Sequence, residues 1–170
     1  PMRASKTFRF WLGGLLAHAR EIALFLAPTV NSYKRFMEGT FAPTAIAWAA
    51  DNRTSGFRIV GHGSSLRSEC RIPGADANPY VAFALLIAAG LDGIERELEP
   101  PPMLSGNLYG AKNVPQIPRT LGDAIVGSAA TNRLEGLGGN DAIDGQAGND
   151  LLLGAAGGRA GQMLEGSARI

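Results

Sequence analysis

A change in residue usage near Val126 constrains the fold of this chain more than any other feature. Every aromatic residue lies at or before Tyr109, whereas 11 of the 23 glycines fall within the last 45 residues. Glycine contributes no side chain to a core and loses more conformational freedom on folding than any other residue. An ordinary core can therefore form only in the first part of the chain. We predict two parts, residues 1–125 and residues 126–170.

Two helices are predicted in the first part. One spans Phe8–Leu26, and its uncharged stretch is too short for the ~20 apolar residues that a membrane span needs. The other spans about Pro79–Leu98, where proline at the start costs little and Asp76 and Asn78 can cap the first turn. This second helix is apolar on nearly every side, so we expect it to lie in the interior of a larger body.

Strands are predicted on either side of a charged region. Residues 44–50 and 57–60 have strand character. The glycines, prolines and asparagines of residues 103–120 indicate an irregular surface loop. Cys70 is the only cysteine, so no internal disulfide is possible, and we interpret it as a small core residue. His18 and His62 have no second ligand at metal-binding spacing, and we interpret both as structural histidines.

A dense charged cluster lies between residues 52 and 71. Four arginines surround one glutamate there: Arg53, Arg58, Arg67, Arg71 and Glu69. If residues 67–72 form a strand, Arg67, Glu69 and Arg71 project from one face. Guanidinium groups bind phosphate or carboxylate through paired hydrogen bonds, and a glutamate kept ionised among them can ligate a divalent cation. The cluster predicts a site that handles phosphates through a metal; the alternative is a surface strand with a ladder of ion pairs.

Several motifs occur in the order found in one enzyme family. They are Asn31-Ser32-Tyr33-Lys34-Arg35, Asp51-Asn52-Arg53, Arg67-Ser68-Glu69-Cys70-Arg71 and Pro73-Gly74-Ala75-Asp76-Ala77-Asn78-Pro79-Tyr80. Over about residues 7–125 the chain resembles the C-terminal part of the glutamine synthetase catalytic domain. The resemblance implies an α+β fold of antiparallel strands with packed helices. It also implies transfer of the ATP γ-phosphoryl group to the glutamate side chain, followed by amine attack on the γ-glutamyl phosphate.

The resemblance implies substrate and metal roles for three residues. Arg35 would bind the carboxylate of the glutamate substrate, and Arg71 would hold the glutamate or its acyl phosphate. Glu69 would ligate the Mg²⁺ or Mn²⁺ ion that bridges ATP and glutamate. These roles suit phosphoryl transfer, which depends on positioning and on neutralising charge on the moving oxygens.

Three further arginines acquire roles toward the nucleotide in the same way. Arg53 would stabilise the phosphate being transferred and, with Arg71, act in catalysis. Arg58 would lie against the nucleotide phosphates, and Arg67 falls at a position near the nucleotide in the family.

The loop after Arg35 departs from the family pattern. Ammonium-using members carry Gly-Tyr-Glu-Ala-Pro, whose glutamate closes the site and helps to deprotonate ammonium, whereas this flap reads Gly39-Thr40-Phe41-Ala42-Pro43. Phe41 stands in the place of that glutamate. A phenyl ring takes no proton but packs against alkyl carbons and offers a cation–π face. The change favours an organic amine as substrate; the alternative is ordinary ammonium-dependent glutamine synthesis.

The second part contains two copies of a nine-residue pattern, residues 136–144 and 145–153. They resemble the nonapeptides of repeats-in-toxin proteins, in which glycine turns and aspartates bind Ca²⁺ along a parallel β-roll. The resemblance implies Asp141 and Asp150 as calcium ligands. Because such arrays need about three repeats to bury a shared core, the alternative is a flexible glycine-rich tail.

Partners and compartment follow from charge and from the family resemblance. A net charge of +1 argues against nonspecific attraction to nucleic acid, and no membrane segment or signal peptide is predicted. The resemblance implies a homo-oligomeric ring and an upstream half of the domain that has no counterpart here, so we expect the chain alone to be an incomplete enzyme. It also implies a cytoplasmic protein, whereas calcium-binding repeats usually accompany secretion. A secreted calcium-binding module with a vestigial ligase segment is therefore a rival interpretation.

Overall fold

The structure, a computed structural model, describes residues 4–111, 113–129, 133–135 and 142–144. It divides into two compact units, Pro1–Ser128 and Ala129–Ile170. The helices and strands are, in chain order, α1 (Lys6–His18), α2 (Ala23–Leu26), β1 (Ala45–Ala50), β2 (Ser55–Val60), β3 (Arg67–Cys70), α3 (Pro79–Glu95), α4 (Leu121–Ala129), β4 (Arg133–Glu135) and β5 (Ala142–Asp144). Short 3₁₀ turns occupy Ser32–Arg35 and Gly63–Ser65. This is the α+β composition that the sequence predicts.

The predicted helix over Phe8–Leu26 is in fact two helices. α1 begins after Ser5, whose hydroxyl accepts a hydrogen bond from the Phe8 N–H at 3.1 Å. It ends at His18, and a turn leads to the short α2. At this break the buried His18 side chain binds Glu21 within the turn and Asp92 on α3.

Glycines bring α1 and α3 into backbone contact. A Cβ atom on Gly14 would lie 2.0 Å from the carbonyl oxygen of Ala89, and one on Gly93 would lie 2.2 Å from that of Phe10. Leu12 on α1 and Leu85 on α3 are buried. The sequence of small and large residues therefore fixes which faces of the two helices meet, because any larger side chain at the glycines would hold them apart.

The start of α3 is the one the sequence predicts. The Asn78 side chain accepts hydrogen bonds from the backbone N–H groups of Tyr80 at 3.0 Å and Val81 at 3.4 Å, and Pro79 occupies the first turn. The helix ends at Glu95, before the predicted end, because Glu97 takes a positive φ of 51° and turns the chain away. Burial on every side is not observed, since the face of α3 turned away from α1 is exposed in this chain.

The first unit contains a three-stranded sheet in the order β1-β2-β3. β2 and β3 are antiparallel, as predicted, but β1 and β2 are parallel, so the sheet is mixed and not wholly antiparallel. The reason lies after β1, where the Asp51 N–H donates to the Ile59 carbonyl at 2.9 Å. This bond holds the end of β1 beside the end of β2, whereas a hairpin would place it beside the start.

Residues 103–120 are largely irregular, as predicted, but they also complete the sheet. The Leu104 N–H donates to the Trp48 carbonyl at 3.1 Å, and the Ile46 N–H donates to the Pro115 carbonyl at 2.8 Å. Leu108 and Ile117 are buried. This segment thus covers the outer edge of β1, which would otherwise present unpaired backbone groups.

α4 is an element that the sequence interpretation missed. Its first turn is capped by the Thr120 hydroxyl, which accepts from the Asp123 N–H at 3.0 Å, so the signal was the spacing of a capping residue. The helix runs across the predicted boundary between residues 125 and 126, and that boundary stays a prediction. Among the described residues no helix is both long and apolar enough to cross a membrane.

The second unit contains β4 and β5, which pair antiparallel. Six residues separate them in sequence, which is enough for a hairpin connection. Most of the nonapeptide repeats lie outside the described residues, so the parallel roll that they resemble stays a prediction. Asp141 and Asp150 lie outside the described residues, so their calcium binding stays a prediction.

His18 joins α1, the following turn and α3 through its two ring nitrogens. Nδ1 lies 2.9 Å from Glu21 Oε2 and Nε2 lies 2.7 Å from Asp92 Oδ2, and Arg96 binds Asp92 in turn at 3.1 Å. The hydrogen bond with Glu21, and secondarily the one with Asp92, raises the pKa of His18 against the opposing effect of burial. This geometry confirms a structural role for His18.

We expect the stability of the chain to fall as the pH rises through the folded-state pKa of His18. Because that pKa is raised, the stabilisation is fully present below the ordinary value of about 6.5 and is lost above the folded value. His18→Gln should lower the free energy of unfolding by about 2 kcal/mol at pH 6 and flatten its pH dependence. Urea denaturation from pH 5.5 to 9 measures both, and an unchanged slope in the variant would contradict the assignment.

Candidate active site

The charged cluster is assembled by the register of β2 and β3. Arg58 lies directly opposite Glu69 in this antiparallel pair. Its Nη1 donates to Glu69 Oε1 at 3.2 Å and to Oε2 at 3.1 Å, while its Nε donates to Asp51 Oδ1 at 3.0 Å. Facing positions on neighbouring strands bring such side chains within reach of each other. Arg58 is thus held between two carboxylates.

Arg71 links the cluster to two loops. Its Nη1 donates to Glu69 Oε2 at 3.1 Å, its Nε to the Arg53 carbonyl at 3.3 Å and its Nη2 to the Phe41 carbonyl at 2.9 Å. The predicted shared face of Glu69 and Arg71 is therefore observed, although β3 itself ends at Cys70. One guanidinium connects the predicted metal ligand, the loop of Arg53 and the flap.

The Glu69 carboxylate accepts hydrogen bonds from Arg58 and Arg71 and stays partly exposed. Its hydrogen bond with Arg58, and secondarily the one with Arg71, lowers the pKa of this carboxyl below its usual range despite some desolvation. Arg58 likewise lowers the pKa of Asp51. An ionised carboxylate is a suitable ligand for Mg²⁺ or Mn²⁺.

The described residues do not complete a metal site around Glu69. They contain no group of three or more histidine, cysteine, aspartate or glutamate side chains that could hold a metal ion. The nearby carboxylate of Asp51 is bound to Arg58. Mg²⁺ requires near-octahedral oxygen coordination, so a metal at Glu69 needs ligands beyond those that the described part of the chain provides.

Arg35 contacts the backbone of the cluster through its guanidinium group. Arg35 donates through Nη1 to the Arg71 carbonyl at 3.4 Å and through Nη2 to the Ile72 carbonyl, and its guanidinium lies 4.9 Å from the ring centroid of Phe36. Desolvation lowers the pKa of Arg35. The Arg35 guanidinium thus contacts the backbone at Arg71.

Arg53 and Arg67 are exposed. The side chain of Arg53 forms no ion pair with the described residues, and only its carbonyl contacts Arg71. Arg67 donates to the Ser65 carbonyl at 3.3 Å, away from Glu69. The structure therefore brings Arg35, Arg58, Glu69 and Arg71 together, with the Arg53 side chain available to solvent and Arg67 at the margin.

The flap is held against the cluster by backbone contacts. The Thr40 hydroxyl lies 2.9 Å from the Arg35 carbonyl and 2.7 Å from that of Met37, and the Phe41 carbonyl accepts from Arg71. Phe41 has a φ of 57°, which is uncommon for a residue other than glycine, and its side chain is 62% exposed. The flap therefore anchors its backbone at the site and leaves an aromatic ring accessible.

Asp76 has a supporting role that the sequence interpretation missed. It does not cap α3; it accepts hydrogen bonds from Ser32 Oγ at 2.5 Å and Thr29 Oγ1 at 3.1 Å. The bond from Ser32 lowers the pKa of Asp76. It ties the loop before α3 to the 3₁₀ turn that carries Arg35. The only available signal was the presence of a serine and an aspartate within two separate motifs.

Cys70 does not take part in the site. Alternation along β3 directs it away from Glu69, and burial raises the pKa of its thiol to about 11. A thiol with such a pKa is protonated at neutral pH and a poor nucleophile or metal ligand. The interpretation of Cys70 as a packing residue agrees with this geometry.

Comparisons with known proteins identify the family. The family description "Glutamine synthetase, catalytic domain" matches residues 1–144. The chain is 54% identical over 120 residues to "Gamma-glutamylethanolamide synthetase GlnA4" of Streptomyces coelicolor, covering 71% of this chain and 26% of the relative. It is 39% identical over 133 residues to the "Glutamine synthetase" of Thermotoga maritima, covering 74% and 30% respectively.

The fold of this chain is also similar to that of a solved structure. The one described as "GmaS/ADP complex-Conformation 1" matches with a TM-score of 0.67 and 38% identity, over 75% of this chain and 31% of that chain. The chain thus spans between a quarter and a third of the length of these relatives. It belongs to the glutamine synthetase family and corresponds to the C-terminal region of the catalytic domain.

Proposed function

We propose that this chain forms the glutamate- and phosphate-binding side of a glutamate–amine ligase active site. The reaction is ATP-dependent ligation of an amine to the glutamate γ-carboxylate through a γ-glutamyl phosphate. The observation that carries the proposal is the hydrogen-bonded group of Arg58, Glu69 and Arg71, to which the flap is attached through Arg71. Such fixed guanidinium groups stabilise negative charge without reorganisation during the reaction.

Each arginine of the cluster has a place in this proposal. Arg35 and Arg71 bind the glutamate substrate, and their proximity gives two cations for its carboxylates. Arg58 binds the nucleotide phosphates. The Arg53 side chain is exposed and free to turn toward the phosphoryl group during transfer, with Arg67 at the nucleotide margin. A divalent cation held in part by Glu69 would neutralise phosphate charge when bound.

The proposed amine is organic, with an alkyl portion that packs on the Phe41 ring. This ring is exposed on the flap, where its carbonyl is fixed by Arg71. An aromatic face attracts an ammonium group and also packs against methylene groups. The similarity to a γ-glutamylethanolamide synthetase supports this choice, whereas similarity to ordinary glutamine synthetases keeps ammonium as the second candidate.

A chimera tests the proposed function. The matching segment of the Streptomyces coelicolor relative is replaced by the corresponding part of this chain, so that the remaining length of the catalytic domain is present. We expect phosphate release from ATP that depends on glutamate, Mg²⁺ and an organic amine such as ethanolamine. A folded chimera that releases no phosphate, or that works only with ammonium, would refute the proposal.

Phe41→Glu should shift the amine preference of this chimera toward ammonium. The carboxylate attracts a small cation and accepts its proton, while the apolar contact with the alkyl chain is lost. We expect the ratio of kcat/KM for ethanolamine to that for ammonium to fall at least ~10-fold, equivalent to about 1.4 kcal/mol. Phe41→Leu is the control, because it keeps an apolar side chain and should retain the preference. An unchanged ratio in Phe41→Glu would show that Phe41 does not select the amine.

We further propose a homo-oligomeric ring and a cytoplasmic location for the complete protein. The ring follows from membership in the family, in which assembly completes the active site. The cytoplasm follows from the proposed use of ATP and glutamate. Size-exclusion chromatography with light scattering tests the first proposal, and fractionation of cells that express the full-length gene tests the second.

A further inference from the structure

The Thr40 hydroxyl makes three contacts within the flap and the segment that leads to it. It lies 2.7 Å from the carbonyl oxygen of Met37 and 2.9 Å from that of Arg35, and it accepts a hydrogen bond from the Ala42 N–H at 3.3 Å. Its one hydrogen serves the two carbonyls, while a lone pair serves the N–H. A single hydroxyl therefore ties the 3₁₀ turn that carries Arg35 to the far side of Phe41.

The backbone of Phe41 is the part of the flap that most needs such support. Its φ of 57° lies in the left-handed region, which is unfavourable for a residue other than glycine. The bond from the Ala42 N–H to Thr40 spans this residue and so favours that conformation. Ala42 is 3% exposed, which limits replacement of the bond by water. The Phe41 ring is 62% exposed, so its position depends on the backbone more than on packing.

Arg71, in contrast, is held independently of the flap. Its Nη2 donates to the Phe41 carbonyl at 2.9 Å, but its Nη1 also donates to Glu69 Oε2 at 3.1 Å and its Nε to the Arg53 carbonyl at 3.3 Å. Loss of the bond to the flap would leave the other two in place. A change at Thr40 should therefore displace Phe41 far more than Arg71, so effects on the amine and on glutamate can be separated.

We propose that Thr40 is a positioning residue for the amine substrate. Its hydroxyl orders the flap before any substrate binds and thereby fixes the place of the Phe41 ring, against which a primary alkylamine packs. A ring that is already in place loses less conformational freedom when the amine binds, so the hydroxyl increases amine affinity. The role toward the amine rests on the proposed function, whereas the ordering of the flap does not.

Hydrogen exchange of the 170-residue chain, measured by NMR, tests the ordering of the flap. Thr40→Val removes the hydroxyl but keeps the branched shape, and Thr40→Ser keeps the hydroxyl. We expect the Ala42 N–H to exchange at least ~5-fold faster in Thr40→Val, the effect of one lost hydrogen bond, and at the unaltered rate in Thr40→Ser. The Ala82 N–H, which donates to the Asn78 carbonyl at 2.9 Å, is the reference and should not change. Equal exchange at Ala42 in Thr40→Val and the unaltered chain would overturn the proposal.

Steady-state kinetics of the chimera test the role toward the amine. In Thr40→Val the KM for ethanolamine should rise at least ~5-fold, while kcat and the KM for glutamate change less than ~2-fold, because binding of the amine alone is weakened. Thr40→Ser should restore the KM for ethanolamine. An unchanged KM for ethanolamine, or an equal rise for glutamate, would overturn this role. A folded chimera without activity would refute the proposed function, and the exchange measurement would still decide whether Thr40 orders the flap.

Discussion

Gly93→Ala is expected to lower the free energy of unfolding by about 3 kcal/mol. The added Cβ would lie 2.2 Å from the Phe10 carbonyl oxygen and 2.5 Å from the Gly14 nitrogen, and both of these atoms belong to the backbone of α1. No side-chain rotation relieves such a contact, so the helices must separate. Separation loosens the packing of every side chain between them, which outweighs the gain of up to ~1 kcal/mol in helix propensity.

The matched control is a helical glycine without such a neighbour. Gly122 lies in the first turn of α4, where a Cβ would meet only the Thr120 hydroxyl at 3.7 Å. Gly122→Ala should therefore leave the stability unchanged or slightly raise it. Urea denaturation followed by circular dichroism measures both variants. Equal stabilities for Gly93→Ala and the unaltered chain would mean that α1 and α3 do not meet at backbone distance.

Local signals in the sequence predicted the start of α3 correctly, but not the shape of the first helical region. Asn78 and Pro79 act on backbone groups one to three residues away, so their effect is visible in sequence. At the break between α1 and α2, His18 contacts Asp92, which lies 74 residues further along the chain. No periodicity within Phe8–Leu26 records that partner.

The difference between local signals and contacts that are distant in sequence also applies to the sheet and the site. Alternation along β3 predicted that Glu69 and Arg71 share a face, because the period of a strand is a local property. The pairing of Glu69 with Arg58 depends on register, and the parallel arrangement of β1 depends on the backbone of Asp51. The link from Arg71 to the flap is made by a carbonyl group, which every residue type possesses. The sequence therefore identified the charged residues but not their connections.

Glu69→Gln is expected to lower glutamate-dependent phosphate release by the chimera on the order of 10²-fold. The amide keeps the shape of the side chain but removes the negative charge that holds Arg58 and Arg71 together. It also donates hydrogen bonds, so one of its two groups must face a guanidinium N–H unfavourably. A metal would lose its one carboxylate ligand from this cluster. Steady-state assays with varied Mg²⁺ should show both a lower kcat and a higher metal requirement.

Asp51→Asn is the informative comparison, because Asp51 and Glu69 both bind Arg58. The Asp51 side chain is 76% exposed and, among the described residues, hydrogen-bonds to Arg58 as its single arginine partner, whereas that of Glu69 is 38% exposed and binds two arginines. Exposed ion pairs contribute little, so Asp51→Asn should reduce phosphate release no more than about 5-fold without raising the metal requirement. If the two substitutions lower phosphate release equally, the function of Glu69 would be only to hold Arg58 in place. A metal requirement that rises in Glu69→Gln alone would instead require direct participation of this carboxylate in binding the cation.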